Sequence, residues 1–587
     1  MCGILAWFHK DQQIDQERFD KMLQTLSHRG PDGEGMKYYL NGHLALGHKR
    51  LSFLDLSSEG LQPMHSNKGR FAIVLNGEIY NYKELKQELS ADYNFQNETD
   101  TEVVLAVFEK WGIDGLEKLA GMFSMVVLDS QQQIVYLIRD RFGIKPLYYA
   151  LLHNQLLVAS ELKAIIKSTN KFTINKAAVT DYFVYRYIPS PETVWNEINK
   201  LEPAHYLKLS LKTFEVSKQQ YWILHEGKNK NQQEQISTAL NDSIDKHLRS
   251  DVQIGAFLSG GYDSSALVAL SKKMNHELPT YSIGFKNWSN SEDQYAKIVA
   301  AHLELPHQSY IADDVDLSLL KKMPYVYDEP IADISILPTY LVSQLAAKEV
   351  KAVLGGEGAD ELFLGYTWQK QWLKQIKGVF PFVKKKEKNL IAFYSSAMAM
   401  GQFDKNELNA MFCDDWKPFI REDIHWFYRA HIRKDLSLQR QIQYLDIRTF
   451  MSELVLTKID RASMAHSLEV RVPFLDHELV STVFSQHKND NFDSKQTKIN
   501  LYKLIKSILP EQILNREKQG FVGPDAYYMN IDFYKAELSN SKLVEDGIIQ
   551  QSYLDKLLNE TYNWRLWKIL VFENWYKYWI LNTAHNG

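Results

Sequence analysis

Val252-Gln253-Ile254-Gly255-Ala256-Phe257-Leu258 runs into Ser259-Gly260-Gly261-Tyr262-Asp263-Ser264-Ser265, and this stretch decides the architecture of the larger part of the chain. Val252–Leu258 reads as a buried strand and Ser264–Lys272 as a helix, with a Gly/Ser loop between them. The two glycines let backbone approach a phosphate, the hydroxyls donate hydrogen bonds, and the helix N-terminus favours negative charge. Asp263 would repel phosphate on its own. It makes sense as a ligand for Mg2+, an oxygen-seeking cation that bridges carboxylate and phosphate. No Gly-Lys-Ser/Thr follows, so this is not a Walker loop. A bare Ser-Gly-Gly could be a flexible turn; the full pattern between strand and helix is far more specific. Further strands are predicted at Thr280–Phe285 and Ala352–Leu354, the second running into Gly355-Gly356-Glu357-Gly358-Ala359-Asp360.

Outward from that loop the chain divides in two. Its 587 residues predict two to four domains at about 100–200 residues each. Apolar residues make up 45% and charged ones 24%, which excludes wholesale disorder. Lys+Arg number 68 against 72 Asp+Glu, and the net −4 argues against a nucleic-acid partner. Two cysteines are too few for a disulfide framework, and no apolar run reaches the ~18 residues of a membrane span. A soluble, cytoplasmic protein is expected. Residues 1–210 alternate strand-like runs (Phe71–Leu75, Met122–Leu128, Ile134–Ile138) with turns and a helix at Thr101–Trp111, an α+β sandwich. A polar linker is expected over 211–235, an α/β domain over 236–587, and mainly helix beyond ~365.

The chain begins Met1-Cys2-Gly3-Ile4. Cysteine is small enough for the initiator methionine to be removed, which would leave Cys2 with a free α-amino group. Such an amine has a pKa of about 7.7–8.0 and can act as base on its own thiol. Thiolate formation is the step that needs help. Asn76-Gly77 after the strand Phe71–Leu75 offers an amide and a backbone N–H for an oxyanion. Arg50 offers a fork for a carboxylate, and Asp100 could hold an ammonium. Each has a bland alternative: Asn-Gly is a common turn, Asp100 could cap a helix, and Arg50 could be a surface ion pair.

Met1-Cys2-Gly3-Ile4, Ser27-His28-Arg29-Gly30-Pro31-Asp32, Arg50-Leu51-Ser52, Asn76-Gly77-Glu78-Ile79-Tyr80-Asn81 and Arg139 to Tyr149 together resemble the glutaminase domain of the N-terminal-nucleophile glutamine amidotransferases. That resemblance implies a four-layer αββα sandwich in which Cys2 attacks the glutamine amide. It implies an oxyanion site at Asn76 and Gly77, and glutamine binding by Arg50, Leu51, Ser52, Phe53, Leu54, Asn76, Gly77, Glu78 and Asp100. The Ser259–Ser265 loop resembles the pyrophosphatase loop of enzymes that adenylate a substrate and release pyrophosphate. With it come an adenine-nucleotide alpha-hydrolase-like parallel sheet and ATP contacts at Leu258, Ser259, Gly260, Gly261, Asp263, Ser264, Ser265, Ile283, Gly355, Gly356 and Lys518. Asp263 and Asp360 would hold Mg2+, Glu357 would be the acid/base group, and Lys518 would neutralise charge on the phosphates.

The two halves in one chain resemble the glutamine-hydrolysing asparagine synthetase family. Glutamine, ATP with Mg2+, and aspartate are the implied substrates, and a homodimer is an implied assembly. Ammonia released at Cys2 would need an enclosed route to the second site, because neutral water protonates it to unreactive ammonium. One departure concerns the acceptor. Thr367-Trp368-Gln369-Lys370-Gln371-Trp372 differs from the pattern of the best-known members and suits a broader branch that amidates other carboxylates, on sugars or cell-wall precursors. A scaffold without activity is disfavoured by the intact Cys2, Asn76, Asp263 and Asp360. A sugar-isomerising or phosphoribosyl amidotransferase would not need the Ser259–Ser265 loop.

Overall fold

The computed structural model describes residues 2–169, 171–227, 233–286, 288, 290–312, 317–378, 386–486, 498–516, 519–521, 523–524, 528–560 and 563–581, with backbone alone at 374–378 and 386–389.

Two six-stranded antiparallel sheets face each other in the first part. One runs in the order Ile198–Lys200, Tyr148–Leu152, Gln155–Ala159, Gly3–His9, Leu44–Arg50, Gly33–Tyr39. The other runs Val216–Gln220, His205–Ser210, Ile134–Arg139, Gly121–Asp129, Phe71–Ile79, Met64–His65. Side chains alternate across a strand, and the layers follow from that. Ile4, Ala6 and Phe8 meet Ala72, Val74, Val126 and Leu128 between the sheets. Leu5 and Trp7 point outward, into the core that also holds Phe19, Met22 and Leu23 of the helix Gln16–Gln24. On the far side Ile73, Leu75, Phe123 and Met125 pack on Val103, Val104 and Val107 of the helix Asp100–Trp111. The result is the αββα sandwich.

The linker expected over 211–235 is in part sheet. Val216–Gln220 pairs antiparallel with His205–Ser210 and closes the edge, and the Tyr221 hydroxyl donates to the Arg139 carbonyl. The polar side chains of Val216–Gln220 are exposed, as an edge strand permits, which hid it in the sequence.

The second part is built on a five-stranded parallel sheet in the order His307–Ala312, Thr280–Phe285, Ile254–Phe257, Ala352–Leu354, Glu469–Arg471. The chain starts at the centre, winds to one edge and returns to the other side, so strand order reverses between Ile254–Phe257 and Ala352–Leu354. In open parallel sheets the crevice at such a reversal receives ligands. Both candidate nucleotide loops leave the sheet there.

One long helical run, Leu438–Asp446, Ile447–Val455 and Leu456–Met464, joins the parts; its middle stretch is wound as π-helix. Arg448 donates to the Pro203 carbonyl (3.2 Å) and Glu453 accepts from Ser190 Oγ (2.7 Å). Asp460 and Arg461 continue the contact at its end. Among the described residues, no helix is long and apolar enough to cross a membrane.

Candidate active sites

The thiol centre lies where Gly3–His9 begins. Cys2 is buried, and its backbone N donates to Asn76 Oδ1 at 3.0 Å. Asn76 Nδ2 points towards Ser124 Oγ (3.4 Å) on the neighbouring strand. Asn76 and Gly77 are not in a turn. They lie within the strand Phe71–Ile79, where Gly77 takes φ +150° and a Cβ would come 2.0 Å from the Met122 carbonyl oxygen. Glycine is therefore required by close backbone approach. Burial raises the Cys2 thiol above its ordinary range, and Glu78 and Glu469 push the same way while the Leu51 backbone opposes them. An unassisted thiol here stays protonated at neutral pH.

The expected glutamine residues converge on this point. Asp100 is the first residue of its helix, not its cap: Thr99 Oγ1 accepts from Glu102 N, and Asp100 Oδ2 accepts from Ile79 N at 2.8 Å. Burial lifts its carboxyl to about 6, against the hydrogen bonds from Ile79 and Thr101. Glu78 is raised well above the carboxylate range by burial, with Asp100 and Glu469 adding to it and Arg471 opposing. Burial thus raises both acids, and a cation placed beside them would favour their charged forms. Arg50 is not a surface ion pair. It is buried, and its guanidinium donates to the carbonyls of Leu54 (3.2 Å), Asp55 (2.5 Å) and Ser57 (2.6 Å), organising the loop that holds Leu51, Ser52, Phe53 and Leu54. A Cβ on Gly60 would meet Arg50 Nη2 at 2.0 Å, so the loop closes tightly over that arginine.

The nucleotide centre occupies the reversal point. Ser259 N donates to Ser264 Oγ (3.1 Å), Gly261 N donates to Ser259 Oγ (3.3 Å), and Gly260 holds φ +67° against Tyr295. The helix Tyr262–Lys273 starts immediately behind, placing Asp263, Ser264 and Ser265 in its first turn. Leu258, just past the strand Ile254–Phe257, and Ile283, within the strand Thr280–Phe285, are buried. A Cβ on Gly356 would lie 3.1 Å from Asp263 Cβ, so the two loops are in contact. Glu357 is buried, its Oε2 has no hydrogen-bond partner, and burial raises its carboxyl, with Lys458 opposing and Asp263 adding. Lys518 lies outside the described residues.

Asp263 and Asp360, from separate loops, share one ammonium: Lys498 Nζ is 2.5 Å from Asp263 Oδ1 and 2.6 Å from Asp360 Oδ1. The two carboxylates thus reach a common point. Among the described residues no group of three or more His, Cys, Asp or Glu side chains gathers for a metal. A carboxylate pair fits Mg2+, which keeps water and phosphate oxygens as its other ligands.

Sequence reasoning missed three residues at these centres. Lys498 carried no signal because the stretch before it is polar and unpatterned. Arg516 lies in a stretch without strand or helix patterning; it donates to the Ser259 carbonyl (3.1 Å) and stacks 4.0 Å over Tyr295. Arg471, fully buried, sends its backbone carbonyl to Gly355 N (2.8 Å) and Nη2 to within 3.6 Å of Glu78.

A buried charge network ties the parts together. Arg29 Nε donates to the Cys2 carbonyl (3.1 Å), while its Nη1 reaches Glu161 (2.7 Å) and Asp460 (2.9 Å). Glu161 also pairs with Lys163 and Arg461, and both of those pair with Asp328.

Sandwich, reversal-point loops and buried bridge define a class, an enzyme with an N-terminal-nucleophile-type amidotransferase unit and a nucleotide-binding synthetase unit on one chain. The glutamine amidotransferase domain family matches residues 1–222 and the asparagine synthase family residues 235–577. Asparagine synthetase [glutamine-hydrolyzing] 1 of Bacillus subtilis is 32% identical, covering 98% of this chain and 96% of that protein. Asparagine synthetase [glutamine-hydrolyzing] 3 of the same organism is 29% identical over 95% of this chain and 93% of its own length. Amidase chry2 of Gibberella zeae is 26% identical, with 93% and 92% covered. The chain belongs to the asparagine synthetase family, with a glutamine amidotransferase domain.

Proposed function

We propose that the protein makes asparagine from aspartate, glutamine and ATP, releasing AMP and pyrophosphate. The observation that carries this is the presence, on one chain, of a buried Cys2 against Asn76–Gly77 and of two nucleotide loops at the sheet reversal, joined by a wholly buried bridge. With Met1 removed, the α-amino group of Cys2 takes the thiol proton. The sulfur attacks the glutamine side-chain carbon, and Asn76 and Gly77 stabilise the oxyanion. Ammonia leaves with the proton and water hydrolyses the thioester to glutamate. Glu78 and Asp100 hold the glutamine ammonium, and Arg50 with its loop positions the carboxylate end.

In the second unit the Ser259–Ser265 loop and Lys518 hold ATP phosphates, with adenine near Leu258, Ile283 and Gly355–Gly356. Mg2+ held by Asp263 and Asp360 would offset charge on the departing pyrophosphate. The acceptor carboxylate attacks the α-phosphorus and pyrophosphate leaves. Ammonia then adds to the acyl carbon, AMP departs, and Glu357 is placed to take the surplus proton. This reading requires an enclosed passage for ammonia between residues 1–210 and 236–587, because neutral water protonates ammonia to unreactive ammonium.

A second acceptor class is favoured by one observation, the divergent Thr367–Trp372 stretch, and is in keeping with a relative called an amidase. There the same steps would amidate a carboxylate on a sugar or cell-wall precursor. Incubation with glutamine, ATP and Mg2+, with and without aspartate, decides between them. Aspartate-dependent asparagine and AMP in equal amounts support the first acceptor. Glutamate formation with no aspartate-dependent AMP refutes it and favours the second.

A further inference from the structure

Lys498 is the side chain set most tightly against the nucleotide centre without an expected role there. It stands at φ +50° just before the helix Ile499–Ile505 and is buried to 3% exposure. Its ammonium lies 2.5 and 2.6 Å from the two oxygens of Asp263 and 2.6 Å from Asp360 Oδ1. The ammonium donates to both oxygens of Asp263 and makes a close ion pair with Asp360. The side-chain stem passes a slot that only glycine leaves open, since a Cβ on Gly365 would come 2.0 Å from Lys498 Cε and 1.9 Å from Asp360 Oδ1.

We propose that Lys498 is the resident counter-cation of this acidic pair, holding Asp263 and Asp360 together until a divalent cation arrives with nucleotide phosphates that receive the displaced ammonium. The inference rests on the reading of Asp263 and Asp360 as the metal pair. Two carboxylates brought to one point repel, and a buried ammonium between them offsets that repulsion. A free divalent cation would have to evict it from two charge-assisted hydrogen bonds and an ion pair and leave it buried without them, which is costly. A cation bound to a nucleotide brings phosphate oxygens, acceptors of the right charge for the same ammonium. Metal therefore enters with nucleotide and not before it.

Titration of the full-length protein with Mn2+ alone, followed by electron paramagnetic resonance, tests this. Wild type and K498R are expected to bind nucleotide-free Mn2+ weakly. K498Q is expected to bind it roughly tenfold or more tightly, a gain lost in K498Q/D263N, while its affinity for Mn2+–ATP falls. Nucleotide-free binding by K498Q no tighter than wild type overturns the proposal. D263N and D360N with Mn2+–ATP test the metal pair separately. Unchanged affinity there defeats that reading, whereas a loss there with no gain in K498Q defeats the Lys498 assignment only. If K498Q does not fold, judged by absent glutamine hydrolysis, a wild-type structure with Mn2+ and ATP decides. Lys498 Nζ on a phosphate oxygen supports the proposal, and Nζ still bridging both aspartates refutes it.

Discussion

Gly77→Ala separates the oxyanion side of the thiol centre from everything else in the chain. The new Cβ would sit 2.0 Å from the Met122 carbonyl oxygen and 2.6 Å from Phe123 Cα, both backbone atoms of the paired strand. No side-chain rotation relieves that contact. A carbon–oxygen pair rests comfortably at about 3.3 Å, so the strand carrying Asn76 has to retreat by roughly 1 Å. A 1 Å misplacement of catalytic groups costs on the order of 10²-fold, and loss of one oxyanion donor ~10²–10³-fold. Glutamine-dependent glutamate formation should fall by that factor. The nucleotide loops lie on another sheet, so AMP release driven by added ammonia and acceptor should persist. Glutamate and AMP are measured in parallel with glutamine and with ammonium chloride as nitrogen source. Wild-type glutamine hydrolysis in G77A would refute the oxyanion assignment. Equal loss of both activities would show that the strand supports the whole chain and not this centre.

Cys2→Ala should abolish glutamine hydrolysis and spare ammonia-dependent AMP formation, read in the same pair of assays. Gly365→Ala should do the reverse, because its Cβ would collide with Asp360 Oδ1 and Lys498 Cε while Cys2 keeps its surroundings. Asp100 has a folded-state carboxyl at about 6, above its ordinary 3.8, so its neutral form is favoured only below about pH 6. Its contribution to stability is complete below about pH 4 and is lost as pH rises through about 6, while glutamine binding needs the ionised form; KM for glutamine should therefore rise about tenfold per unit below pH 6 in wild type, and D100N should remove that slope. Asp460→Ala leaves the buried Arg29 without one of its two acids, which costs roughly 3–5 kcal/mol, and should lower the denaturant midpoint together with glutamine hydrolysis.

The sequence made the chemistry legible where spacing and local structure coincide. Ser259–Ser265 follows a strand and opens a helix as read, with the helix beginning two residues earlier, at Tyr262, and Cys2, Asn76, Glu78 and Asp100 lie close together. Boundaries set by side-chain chemistry alone were less legible. Val216–Gln220 looks like linker because an exposed edge strand needs no apolar alternation, and Asn76-Gly77, a common turn pair, instead lies within the strand Phe71–Ile79, paired with Ser124 and Phe123. Lys498, Arg471 and Arg29 owe their roles to partners 235, 393 and 431 residues away, as the Asp263, Glu78 and Asp460 contacts have it. No window of sequence contains such pairs. Only the fold brings them together.

Burying so many charges between the two parts is poor value as stabilisation, since apolar packing of equal volume serves as well or better. Its yield is geometric. Arg29 fixes the Cys2 carbonyl against Asp460, so the strand that follows Cys2 is tied to the long helix that ends at Met464. Arg471 does the same from the other direction. Its carbonyl holds Gly355 at the mouth of the nucleotide loop, and its guanidinium pairs with Glu469 (2.6 Å) and lies over Phe53 and Tyr80 with Nη2 facing Glu78. Nη2 has no hydrogen-bond partner there, and 3.6 Å is too long for one. Arg471 thus touches the surroundings of both centres with one residue, its carbonyl at Gly355 and its guanidinium beside Glu78, so the two loops are built on a shared piece of backbone.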